Sequence, residues 1–323
     1  MLRKFVGFLL LLAAGGYFAF NNIDGLDQLK LRPKGGASTE AGHDDGPPPV
    51  HRSENVIRVG SFNIQVFGAH KLAKPGVMKL LADVVRRFDI VAIQEIRANT
   101  NDILPRFVDL INSTGRHYDF VIGPRLGRTS SKEQYAFIFD TASIETDRDS
   151  AYSLEDPDDR LHREPLIGWF RVRGPKSNEA FTFTLVNIHT DPDETTTELD
   201  ALGAAYRAIR DDGRQEDDTI LLGDLNVSDR KLGRLGEISG ITPVIAGVPT
   251  NTRGDKQYDN ILFTLPATQE FTGRGGVFDL IREYNLTIDE AQQVSDHMPI
   301  WAEFSIYEGG QAGRFAGRPR DER

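Results

Sequence analysis

"TILLGDLNVSDR", residues 219 to 230, is an apolar run closed by a glycine and followed at once by an acid and an amide. Ile220, Leu221 and Leu222 read as a buried strand, Gly223 as its bend, and the rest as a loop. Side chains two apart at a strand end point the same way, so Asp224 and Asn226 are set to face one small ion or one phosphate. Turn chemistry favours Asp and Asn in loops for other reasons, so the pattern needs partners.

The partners occupy equivalent places elsewhere. Asn63 ends "SFNIQ", Glu95 ends "DIVAIQE" and His189 ends "TLVNIH", while Asp259 in "YDN" and Asp296–His297 in "SDHMPIW" lie just before strands. Strand-end loops are where α/β proteins assemble sites. Each residue alone has a bland reading: a surface acid, a satisfied core histidine, a turn cap. Together, several polar interruptions of apolar strands at loop junctions are costly unless they converge.

Strands and helices alternate around these junctions. "NVIRVGSFNI", "DIVAIQEI", "YDFVIG", "QYAFIFD", "IGWFRVR", "AFTFTLVNIH", "TILLGDLN", "YDNILF" and "MPIWAEFSI" read as strands. "KLLADVVRRF", "ILPRFVDLIN" and "ETTTELDALGAAYRAIRD" read as helices, the second with its proline in the first turn. The mixture predicts an α/β protein of the α+β type, with mixed sheets and flanking helices. No repeat of solenoid length is present.

With 323 residues, 39% hydrophobic and 27% charged, the chain has ample core for one large domain. A net charge of -10 argues against non-specific coating of nucleic acid by bulk charge, and predicts dependence on divalent ions. The absence of cysteine removes disulfides, thiolate nucleophiles and Cys-ligated zinc. Carboxylates and carboxamides without thiols suit Mg²⁺ or Mn²⁺. Two histidines add an acid and a base near neutral pH, completing a set suited to hydrolysing a phosphodiester.

The ends differ in kind. "MLRKFVGFLLLLAAGGYFAF" sets Arg3 and Lys4 before an apolar stretch from Phe5 to Phe20, the pattern of a secretory signal or an N-terminal membrane anchor. The run is short for a comfortable span of about 20 residues, and no clear A-x-A cleavage site follows it. Export or anchoring, with the domain outside the cytoplasm, is the expectation; cleavage stays open. Residues 21–54 read as a tether, 55–307 as one catalytic domain, and 308–323 as a disordered tail.

In series, "SFNIQVFG", "RRFDIVAIQEIR", "PRLGRTSSKEQYAFIFD", "REP", "NIHTDPD", "GDLN", "YDNILF" and "SDHMPI" resemble the endonuclease/exonuclease/phosphatase superfamily, and within it the deoxyribonuclease I members. The resemblance spans roughly Ile57 to Phe304. It implies a four-layer sandwich of two packed β-sheets between helices, with the active site at one edge. It implies Glu95 as principal metal ligand, with Asn63, Asp224, Asn226 and Asp296 completing the metal and phosphate site. His189 would pair with Glu133, and His297 with Asp259, as acid and base around in-line attack by water that leaves a 5′-phosphate end. Arg163 matches a phosphate-contacting position, and Arg97 an arginine that enters the DNA minor groove.

There are departures. Ser131 stands where the family has a tyrosine against the sugar, and Thr129 replaces an asparagine that touches the groove. The acidic loop "SLEDPDDRLHREP" falls where the family binds structural calcium, which makes Asp156, Asp158 and Asp159 candidates; a solvated loop is the competing reading. DNA is the expected substrate, a membrane a possible partner through the N-terminus, and the chain a monomer without a protein partner. The alternative activity is a lipid or inositol head-group phosphodiesterase or phosphatase of the same superfamily. A binding module that lost its chemistry is disfavoured, because no expected catalytic position is substituted.

Overall fold

Alternation along each strand builds this molecule, because successive side chains leave a strand on opposite faces. The computed structural model describes residues 55–128, 132–214 and 216–311. The apolar N-terminus, the tether up to Glu54, Thr129, Ser131 and the tail beyond Gln311 lie outside the described residues.

The first sheet has the order β12 (Phe271–Val277), β13 (Ile300–Ser305), β1 (Val56–Phe67), β2 (Ile90–Ile96), β4 (Gln134–Asp140), β3 (Tyr118–Ile122). The second runs β10 (Ile241–Pro243), β11 (Asp259–Thr264), β9 (Thr219–Asp224), β8 (Thr182–His189), β7 (Leu166–Val172), β5 (Ile144–Glu145), with β6 (Tyr152–Ser153) also on β7. Strands β1 and β2 are parallel, as are β8 and β9; the other neighbours are antiparallel. Parallel neighbours need a crossover. Helices α1 (Ala69–Leu72) and α2 (Pro75–Val85) fill the first one, α3 (Ile103–Asn112) packs beside them, and α4 (Thr195–Arg210) fills the second. The short α5 (Gly233–Gly236), α6 (Leu280–Tyr284) and α7 (Ile288–Val294) complete the set among the described residues.

Three apolar layers hold the sandwich. Even-numbered Phe62 and Ile64 of β1 meet Val77, Leu81 and Val84 of α2 on the outer face of the first sheet. Leu199, Leu202 and Tyr206 of α4 cover Val186 and Leu221 of the second. Between the sheets, Ile57, Val59, Phe137, Phe170, Phe183, Phe263 and Phe304 interdigitate, and Phe137 meets Phe170 edge-on with centroids 5.3 Å apart. This is the four-layer sandwich the sequence implied.

The inter-sheet face changes character toward one end. On β1 it runs Ile57, Val59, then Ser61, Asn63; on β8 Phe183, Leu185, then Asn187, His189; on β9 Ile220, Leu222, then Asp224. On the antiparallel strands it runs backward, Phe139, Phe137, Tyr135 to Glu133, and Phe263, Ile261 to Asp259. The site is therefore the polar end of the same layer whose apolar part is the core.

Strands β5, β6 and β10 and the short helices α1, α5, α6 and α7 are not among the elements read from the sequence, and two further places differ from the expectations. Strand β12, "FTGRGGV", is glycine-rich and carries no strand signal. It forms because Gly275 lies so close to Val244 and the carbonyl of Trp301 that a Cβ would sit 2.3 and 2.8 Å from them. At the C-terminal side the folded body continues past Tyr307: Glu308–Gly310 form a turn, and the Glu308 N–H donates to Glu179 O at 2.9 Å. Among the described residues no helix is long and apolar enough to cross a membrane.

Candidate active site

Asp224 is the centre. It ends β9, is 1% exposed, and its Oδ2 lies 3.5 Å from Nε2 of both His189 and His297. Gly223 makes that position reachable: its φ of +148° suits glycine, and a Cβ there would lie 1.9 Å from Ile188 O on β8. Each imidazole is backed by a buried carboxylate. His189 Nδ1 meets Glu133 Oε1 at 2.8 Å, and His297 Nδ1 meets Asp259 Oδ2 at 2.8 Å. With Nδ1 donating to the carboxylate, each ring presents Nε2 to Asp224.

The surrounding charges set the protonation. Burial disfavours the imidazolium of His189, but the charge and hydrogen bond of Glu133, then Asp224, outweigh it and raise its pKa. Burial works against His297 too, yet Asp259 and Asp224 lift it to about 10. Burial pushes the Asp224 carboxyl up, and the two histidines bring it below its ordinary value. Glu133 is likewise held low, because His189, Arg163 and Arg97 overcome its burial.

A second group of oxygens lies beside Asp224. The Asn63 amide Nδ2 donates to Asp224 Oδ2 at 3.0 Å and to Glu95 Oε1 at 3.3 Å, so one nitrogen touches both acids. Alternation would turn Glu95 toward the helices, since Gln94 already faces the inter-sheet layer. A φ of +62° at Glu95, within a register shift between Ile93 and Ile96, returns its side chain to the site. Val66 has φ +51° and donates its N–H to Glu95 Oε2 at 2.8 Å. Left-handed backbone at residues such as these stores about 1–3 kcal/mol each. Asp296 brings a third carboxylate; burial, then Glu95, raises its pKa above the ordinary range, although His297 opposes this. Its Oδ1 is buried without a hydrogen-bond partner. Among the described residues, the His and acidic groups at this site whose ligand atoms all lie within 4.8 Å of one another are Asp224, Asp259 and His297.

A model of the endonuclease/exonuclease/phosphatase family matches residues 60–297. The chain belongs to that family. It is 30% identical to deoxyribonuclease gamma of Rattus norvegicus over 265 residues, covering 76% of this chain and 83% of that one. It is 32% identical to deoxyribonuclease-1-like 1 of Sus scrofa over 264 residues, covering 77% and 81%. Among solved structures, truncated TDP2 of Caenorhabditis elegans superposes with a TM-score of 0.53 at 17% identity, covering 77% of this chain and 98% of that one. The human Nocturnin catalytic domain gives 0.53 at 14% identity, covering 78% and 94%. These two share the fold.

Most of the residues singled out as site candidates gather at this end of the inter-sheet layer, at different depths. Asn63, Glu95, Glu133, His189, Asp224, Asp259 and His297 form one connected network. Asn226, with φ +52°, donates its backbone N–H to Asp224 Oδ1 at 2.9 Å and its amide to Thr190 O at 2.8 Å, so it shapes the loop as well as facing the site. Arg97 reaches Glu95 Oε2 at 3.2 Å and Glu133 Oε2 at 3.4 Å. Arg163 is buried, with its Nε and one terminal nitrogen on His189 O at 3.1 and 3.0 Å and its Nε 3.4 Å from Glu133 Oε1. Both arginines thus hold the site's acids in addition to any contact with substrate. In the acidic loop, Arg128 pairs with Asp159, Arg160 lies 4.0 Å from Asp156 and Asp158, and the Leu161 N–H donates to Asp156.

Several supporting residues carried no sequence signal. Thr250 donates Oγ1 to Asp259 Oδ2 at 2.7 Å and accepts the N–H groups of Tyr258 and Asp259. Gln94 and Asn187, joined at 2.7 Å, form a polar layer between core and site. Tyr135 hydroxyl and His189 N–H meet at 3.0 Å. Lys71, buried under Glu95 and Asp296, donates to the carbonyls of Ile64, Gln65 and Val294. Threonine, glutamine and lysine at such positions look ordinary in a one-dimensional string.

Proposed function

We propose that this chain is a divalent-metal-dependent endonuclease that hydrolyses DNA phosphodiesters and leaves 5′-phosphate ends. The observation that carries the reading is the pair of imidazoles, each backed by a buried carboxylate and both presenting Nε2 to one oxygen of Asp224. With one ring neutral and the other protonated when the substrate and cation are bound, one would act as a base and the other as an acid. The base takes a proton from the attacking water and the acid gives one to the leaving 3′-oxygen. The phosphorus–O3′ bond breaks as the new phosphorus–oxygen bond forms, and the phosphate stays on the 5′ side.

The oxygen-rich group beside Asp224 fits a hard cation. Glu95, Asp296, Asp224 and Asn63 would hold Mg²⁺ or Mn²⁺, and the unpartnered Oδ1 of Asp296 is a lone pair in want of one. Such an ion polarises a phosphoryl oxygen and offsets negative charge as the reaction proceeds. The relatives named as deoxyribonucleases favour DNA as the substrate over lipid or inositol head groups. The apolar segment from Phe5 to Phe20 supports export or anchoring.

Plasmid relaxation by the full chain, with EDTA and then single-ion add-back, tests this. Nicking restored by Mg²⁺ or Mn²⁺, with ends ligatable without kinase treatment, is expected. Nicking indifferent to EDTA, or 3′-phosphate ends, would refute it, and head-group release without plasmid nicking would move the activity to the lipid branch. Asp224→Asn should lower turnover by at least about 100-fold.

A further inference from the structure

A second acidic cluster lies at the opposite end of the inter-sheet layer. Asp218 immediately precedes β9, Glu270 immediately precedes β12, and Glu308 sits in the C-terminal turn. Asp218 and Asp224 are six positions apart, spanning β9, about 20 Å of extended chain, so this cluster is remote from the nuclease site. Asp218, Glu270 and Glu308 each offer an oxygen within 4.8 Å of the others, and the first two side chains are buried. Glu216 and Asp217 adjoin them in sequence.

Arg210 and Arg214, whose fields reach Asp217 and Glu216, are bonded to Asp211 and Asp212. Among the described residues none of the five acids pairs with a lysine or arginine. Backbone donors satisfy part of the cluster: Gly309 N–H donates to Glu270 Oε1, and Thr182 N–H to Glu308 Oε2 at 3.3 Å. Asp218 Oδ1 and Glu270 Oε2 are left buried without a hydrogen-bond partner. Thr268, fully buried between β11 and β12, turns its hydroxyl toward Asp218, which also lies against Glu270, with no well-formed hydrogen bond at that oxygen. Unpaired buried carboxylates are strongly unfavourable. Burial, reinforced by neighbouring acids, raises the Asp218 and Glu308 carboxyls, the latter to about 8.

We propose that Asp218, Glu270 and Glu308 hold a structural divalent cation of the calcium class, with the Thr268 hydroxyl as a neutral ligand. The donors are all oxygen, which suits a hard ion, and the irregular set of carboxylates plus hydroxyl suits calcium better than the strict octahedron of magnesium. The ion joins the start of β9 in the second sheet, the start of β12 in the first, and the C-terminal turn. It is a clamp across the end of the sandwich, independent of the nuclease reading.

Thermal unfolding of the full chain stripped with EDTA, then titrated with Ca²⁺, tests the site. Calcium at a hundredfold excess over its Kd should raise Tm by about 5–10 °C. Glu95→Gln, which alters the nuclease site, should keep that rise. Asp218→Asn should show no rise in Tm with calcium and leave Mg²⁺-dependent nicking unchanged. Glu308→Gln is the second variant should Asp218→Asn fail to fold, and it too should lose the calcium response. A rise retained by these variants, or no rise in the parent chain, would overturn the proposal; the latter result means that the carboxyls share protons instead.

Discussion

Arg97 gains from the tertiary structure contacts that its place in the sequence did not suggest. Two positions after Glu95 it reads as a DNA contact, yet its guanidinium lies between Glu95 and Glu133. Arg97→Ala should therefore reduce hydrolysis of a small chromogenic diester as well as of plasmid, by about 10-fold or more on each. A loss confined to plasmid would restore a pure groove contact. His297 gives a second prediction. Its pKa is raised to about 10, so its ion pair stabilises the metal-free fold fully below its ordinary value and loses that effect as pH rises through about 10. His297→Gln should be less stable than the parent near pH 6, and the gap should close by roughly pH 11; urea unfolding in EDTA across that range measures it. A gap independent of pH would show that packing, not charge, sets the contribution.

At the scale of elements, the site depends on how β8 and β9 lie together. His189 and Asp224 are register partners in that parallel pair, and Asp224 and Asp259 are partners across β9 and β11. Three candidate site residues therefore sit in one row across three strands. Gly223 lets the row form, since a Cβ there would meet Ile188 O at 1.9 Å. Gly223→Ala should destabilise by more than about 4 kcal/mol, beyond ordinary overpacking, because backbone must separate from backbone. Circular dichroism melts of the purified variant would show it; a fall of under about 1 kcal/mol would mean the pairing tolerates the shift. The same logic explains β12. Its glycines weaken the strand signal, and at Gly275 the closeness of Val244 and the Trp301 carbonyl leaves no room for a Cβ.

For the whole molecule, polar groups gather at the two ends of one inter-sheet layer, with the aromatic core between them. Glu308 is raised to about 8 in the metal-free state, so it favours the fold below its ordinary value and loses that effect as pH rises through about 8. Metal-free protein should therefore lose stability between roughly pH 5 and pH 8, and Glu308→Gln should lose less; a parent profile that rises over this interval would contradict the assignment. The sequence by itself determined the longer strands apart from β12, the long helices, the family and the identity of the acids, amides and histidines. Those depend on local alternation, helical spacing and short motifs, all of which survive in a linear string. Tertiary structure alone decided the polar layer of Gln94 and Asn187, the hydroxyl of Thr250 behind Asp259, the inward turn of Arg97 and the distant cluster at Asp218. These depend on which neighbours meet across the sheets, and the energy of a buried polar group is set by partners that lie far away along the chain.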